Sequence, residues 1–126
     1  MQFNMDKFIK KHWNGENSLV ISYWVNSVVV STICYYISAF IAGFFVGVFA
    51  SAFHVPLPNK STFGVIGMLA GIPILTWSVH GTWLSADNYN KEREGEFFTW
   101  GSLAKVGLTV GVMNYLAQLI SFLMAN

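Results

Sequence analysis

Charge is what this chain has least of. Asp, Glu, Lys and Arg make up 10% of its 126 residues, where a water-soluble domain carries about a quarter. Between Glu16 and Asp87 the one charged side chain is Lys60, and none follows Lys105. That excludes a domain solvated by water over most of its surface. Cysteine is almost missing as well: Cys34 stands alone in an apolar run, so no intrachain disulfide forms and no redox compartment follows. The sequence lacks His-Glu-x-x-His and Gly-x-Ser-x-Gly, and Gly64-x-x-Gly67 lacks the Lys-Ser/Thr that a phosphate loop needs. His12, His54 and His80 are too far apart along the chain for a recognisable metal spacing. No catalytic, cofactor or metal site is therefore expected, and no enzyme. Lys7, Lys10 and Lys11 lie beside apolar chain and are accounted for by lipid headgroups, so nucleic acid is not an expected partner.

What is present is apolar. Hydrophobic residues reach 54%, aromatics 17%, and there are 11 glycines. Residues 1–126 read as a single all-α integral membrane domain with three spans, at about 28–53, 63–83 and 101–124, after an interfacial N-terminal segment 1–27. The first apolar run, Leu19–Phe53, would be roughly 50 Å long as one helix, against a hydrocarbon core of about 30 Å. Ser18, Ser22 and Asn26 put a polar stripe on its first turns, and Tyr23 and Trp24 are interfacial anchors. The run must either tilt steeply as one helix or begin in the interface; Ser18–Ser27 is read as an entry helix at the membrane surface. Ala50-Ser51-Ala52 mimics a cleavage site, but the run before it is far longer than a signal-peptide core. Pro56 and Pro58 mark a loop. Pro73 falls inside the second span, where a kink is expected, and that helix is expected to continue as far as Tyr89. Thr99 or Ser102 is placed to cap the third span.

The charges orient the spans. With three, Lys7, Lys10, Lys11, Lys91, Arg93 and Lys105 share one side, and Lys60 stands on the other. The positive-inside rule then puts the N-terminus in the cytoplasm of an inner-membrane protein. Trp13, Trp24, Trp83 and Trp100 fall at that same interface, with Trp77 deeper.

Every span carries a Gly-x-x-x-Gly: Gly43/Gly47, Gly67/Gly71 and Gly107/Gly111. In the third span Ala104, Gly107, Gly111, Asn114, Gln118, Ser121 and Ala125 recur at alternating three- and four-residue steps. The second has Gly64, Gly67, Gly71, Ile74, Ser78, Gly81 and Ser85. Small residues at this period let helix backbones approach, and amides hydrogen-bond across the gap. The first span repeats every four residues (Ser27, Ser31, Tyr35, Ala39, Gly43), a period that drifts around an α-helix. These six glycines are the expected packing seam.

Ionisable or amide groups near lipid are the candidate polar positions: His80, Asp87, Lys105, Asn114 and Gln118. Asp87 and Lys105 share a depth at the charged side, so an interhelical pair is expected as one use of them; snorkelling of Lys105 to phosphates is the other. Within the first sixteen residues, Met5, Phe8, Ile9 and Trp13 share a helical face beside three lysines, an amphipathic piece suited to an anionic leaflet.

Trp13-Asn-Gly-Glu-Asn-Ser-Leu19 and Gly81-Thr-Trp-Leu-Ser-Ala-Asp-Asn-Tyr89, with the Leu103-Ala104-Lys105 opening of the last span, resemble a family of small bacterial integral membrane proteins with no established activity. In that family a basic residue tends to follow Trp in both stretches; here Asn14 and Leu84 stand there. The partners expected are the bilayer and either a second copy or another membrane protein. The function expected is helix-mediated association, as a homo-oligomer or accessory subunit. The alternative is a small channel or transporter with a polar path along the third helix.

Overall fold

The computed structural model describes residues 4–94, 96 and 98–125, and they are helical almost throughout. Helix α1 (Met5–Trp13) begins at Asn4, whose side chain accepts the Lys7 N–H at 3.0 Å. Asp6 in its first turn and Lys10 and Lys11 in its last complement the helix dipole. A π-helical segment, Ile21–Val30, then runs without a break into α2 (Ser31–Phe53), which stops at His54 in the left-handed conformation. Helix α3 (Lys60–Lys91) is capped by Asn59 and continues through Pro73. Helix α4 (Trp100–Met124) is capped by Thr99, whose hydroxyl accepts the Ser102 N–H at 3.1 Å. Ile21–Phe53, α3 and α4 are each long and apolar enough to cross a bilayer, so this is a multi-pass membrane protein.

The boundaries shift from those the sequence implied. The second helix starts at Lys60 rather than residue 63 and ends at Lys91, because Asn59 offers a cap and the polar turns after Trp83 have α4 and α1 to pack on. The larger correction concerns Ser18–Ser27. It is not a separate surface piece: from Ile21 it belongs to one 33-residue helix with α2. Its polar stripe faces protein, and Ser22 and Asn26 are completely buried. The winding explains this. Steps of four drift around an α-helix of 3.6 residues per turn, but a π-helix closes its hydrogen bonds at i→i+5 and so has more than four residues per turn. Ser22, Asn26 and Ser31 therefore stay on one side, where the Ser31 N–H and hydroxyl both reach the Asn26 carbonyl.

Helix α3 is the centre, and α1, α2 and α4 all pack on it. Neighbours run antiparallel: Gly67 meets Ala39 while Ser85 meets Ser22, and Gly64 meets Phe122 while Asp87 meets Lys105. Burial is lopsided. Ala50, Met68 and Gly71 are buried in the body of the bundle. Most other buried side chains gather where α3 ends and α4 begins, under α1. Ile21–Phe53 and α3 overrun a hydrocarbon core of about 30 Å by roughly 15–20 Å, and α4 by roughly 8 Å, and the excess length builds this end.

Candidate functional site

At that end four elements close over a polar core. The Ser22 and Ser85 hydroxyls share a hydrogen bond of 2.7 Å, the Thr82 hydroxyl donates to the Ser22 carbonyl at 3.0 Å, and Ser27 bonds to Thr82. Helix α1 contributes His12, which has no exposed surface. Its Nδ1 lies 3.0 Å from the Asn26 side-chain nitrogen, so the amide donates and the imidazole accepts. That leaves the ring proton on Nε2, which has no hydrogen-bond partner, and the Asn26 Oδ1 has none either. Burial pushes the His12 pKa below the ordinary 6.5; the Ser78 backbone raises it and His80 lowers it further.

Two glycines make this closeness possible. A methyl group at Gly81 would overlap the His12 carbonyl oxygen and ring, so α1 lies in a notch that only glycine leaves open. Gly15 has φ +70 and sits against Leu84 and Ser85, and its carbonyl accepts from the Asn88 amide at 3.0 Å. Aromatic contacts complete the clasp: Trp13 stacks on His80 at 4.0 Å, His12 lies 4.3 Å from Trp77, and the Trp77 indole donates to the Ile9 carbonyl at 3.2 Å. Thus Phe8 and His12 turn inward, while Met5 and Ile9 remain on the outside.

The core joins residues 12–19, residues 81–89 and the start of α4. His12–Leu19 lies on Gly81–Tyr89, and Leu19, Ala86 and Ala104 form one apolar cluster flanked by Tyr23 and Tyr89. The Asn14 amide donates to the Glu16 carboxylate within the turn, and Leu84 packs against Gly15. Compared with protein families, with curated proteins and with solved structures, the chain has no match in any of the three.

The candidate polar residues go to different places. Lys105 pairs with Asp87 and lies over the Trp83 ring, at the edge of the polar core. His80 is engaged by Trp13. Asn114 and Gln118 are exposed and make no hydrogen bond to any described residue. They share no path with Lys105 or His80, which are held by partners nearer the charged end.

The glycine seam also divides. Gly67, Gly71 and Gly107 meet Ala39, the Tyr35 ring and the Tyr23 hydroxyl. Around Gly43, Gly47 and Gly111 an added methyl group would meet nothing within 4 Å, so these three pack no helix within the chain. The reason differs by helix. The α3 seam is used at each small residue, Gly64 to Ser85, because three neighbours converge on it. Helix α4 uses its seam only at Ala104 and Gly107, and further along packs on α3 with Tyr115 and Phe122; the Tyr115 hydroxyl donates to the Met68 carbonyl. Gly111, Asn114 and Gln118 are left exposed, and Gln118 borders a groove lined by Tyr35, Met68, Gly71 and Tyr115.

The sequence offered both halves of the polar core, the Ser18/Ser22/Asn26 stripe and the Ser78/Gly81/Ser85 seam, but nothing in it paired them. His12 was visible only as a histidine too distant for metal spacing. Its four-residue offset from Phe8, on the helical face that meets Trp77, was the available signal.

Proposed function

We propose that this chain works by lateral association in an inner membrane, as a homo-oligomer or as an accessory subunit of a larger complex, through the outward face of α4. The observation that carries the reading is the pair of bare amides, Asn114 and Gln118, beside the open Gly111. Asn114 lies about nine residues, roughly 14 Å, beyond Lys105, which is near the middle of a core about 30 Å thick. An amide facing lipid there has no water to bond with, and leaving it unpaired costs free energy. A second helix supplies the partner: the glycine lets it approach, and each amide both donates and accepts.

The N-terminus is assigned to the cytoplasm because α1, the end of α3 and the start of α4, which carry all the basic residues except Lys60, gather at one end. The likeness to small bacterial membrane proteins favours the inner membrane. A polar path through a single chain is supported less well, since Lys105 and His80 are engaged by Asp87 and Trp13.

The test is gentle detergent extraction followed by mass measurement of the intact complex. The wild type is expected in a defined assembly, and Asn114→Leu with Gln118→Leu is expected to release monomer whose Trp77 and Trp13 contacts are unchanged. A bare wild-type monomer would sink the reading.

A further inference from the structure

Helix α1 is held in an arrangement that its own chemistry opposes under acid. It has nine residues, too few for a stable isolated helix in water, so its position depends on the clasp with α3. The clasp is built around a neutral imidazole. His12 is completely buried in the Gly81 notch, its Nδ1 accepts from Asn26, and its Nε2 has no hydrogen-bond partner. No carboxylate faces it. From α3 the titratable neighbour is His80; the π-helical segment brings Asn26 and Ser22 but no charge; its own helix adds Lys10 and Lys11. A proton on His12 would create a buried cation among amides, hydroxyls and a second histidine, with the Ser78 backbone the one neighbour that favours it, and burial outweighs that neighbour. In the docked orientation the Asn26 N–H would then point at an N–H rather than a lone pair, and the amide would have to turn over to offer its Oδ1. Released, α1 presents Phe8 together with the already exposed Met5 and Ile9, beside Lys7, Lys10 and Lys11.

We propose that α1 is an acid-released membrane-binding helix: neutral His12 locks it onto α3, and protonation frees its apolar face and lysines to bind the anionic lipid of the adjoining leaflet. The inference does not depend on α4 or on any assembly. The direction follows from linkage. The released helix takes up a proton at the ordinary histidine value of 6.5, and the docked helix only at lower pH. Docking is therefore undiminished above 6.5, weakens as pH falls through 6.5, and stops changing below the docked value. With one proton involved, the docking constant falls by at most about tenfold per pH unit.

Spin labels at Asp6→Cys and Thr76→Cys, in a Cys34→Ser background, report the α1–α3 distance in vesicles. The lipid is phosphatidylcholine, with or without about one quarter phosphatidylglycerol. One distance is expected near pH 7.5. A second, longer one should grow severalfold by about pH 5.5, reverse on neutralisation, and be larger with the anionic lipid. The step should vanish in His12→Gln and survive in His80→Gln. If His12→Gln undocks at every pH, imidazole nitrogen shifts of the wild type decide instead: His12 must titrate with the midpoint of the distance change. No distance change, a step that persists in His12→Gln, or separate midpoints would overturn the switch. Equal release with and without phosphatidylglycerol would overturn its lipid partner.

Discussion

The two ends of this bundle are held by opposite means. At the charged end, side chains from α1, the π-helical segment and α3 interlock through directional bonds: Ser22 with Ser85, Thr82 with the Ser22 carbonyl, His12 with Asn26. In the body, α2 and α4 each lean on α3 with only slight contact between themselves, and Gly43, Gly47 and Gly111 face open space. The difference lies in what surrounds each end. A short helix at the interface is unstable alone and must be pinned by tertiary contacts. A spanning helix satisfies its own backbone, and lipid is as apolar as its side chains, so a bare face does not unfold it. One end therefore fixes how this chain folds on itself, and the other leaves helix surface bare.

The contrast can be broken most sharply with paired glycine substitutions. Gly81→Leu should destabilise the fold by about 3 kcal/mol and detach α1, because even a methyl group there overlaps His12. Gly43→Leu meets nothing within 4 Å and should leave the monomer within about 0.5 kcal/mol. Unfolding in mixed detergent reads both, and equal effects would erase the distinction between the ends. A smaller loss, about 2 kcal/mol, is expected for Asn26→Leu, which leaves His12 Nδ1 without its donor. Should Asn26→Leu prove neutral, the polar core is filler rather than clasp. The smallest effect belongs to Asp87–Lys105, a pair with side chains 37% and 23% exposed, so breaking it should cost about 1 kcal/mol or less. Exchanging the two charges should restore most of that loss; failure of the double exchange to do so would mean Lys105 is held by Trp83 instead.

Particular residues show how far sequence reasoning reached. The Thr99 cap, read as Thr99 or Ser102, and the three long helices follow local rules, since a side chain two or three residues from a free N–H needs no tertiary knowledge. Asp87 and Lys105 could be matched because depth in a membrane is a one-dimensional quantity readable from charge placement. Which way a helix faces is not one-dimensional. The Gly107–Ser121 pattern looks like a seam within the chain, yet α4 turns Tyr115 and Phe122 to α3 beyond Gly107. The stripe of Ser22 and Asn26 was plain, but not the α3 and α1 surfaces that bury it, nor the π-helical winding that brings Ser31 to the Asn26 carbonyl.

By itself the sequence determined the solvent, the number of long helices and which end gathers charge. Low charge density and helix-length apolar runs leave a chain no other way to satisfy its surface and backbone. Tertiary structure alone decided that His12 is buried in the Gly81 notch, that Leu19, Ala86 and Ala104 meet in one core, and that Asn114 and Gln118 are left exposed. Those outcomes depend on how each helix is rotated about its axis. That rotation is set by the fit of all its neighbours together, not by any segment's own composition.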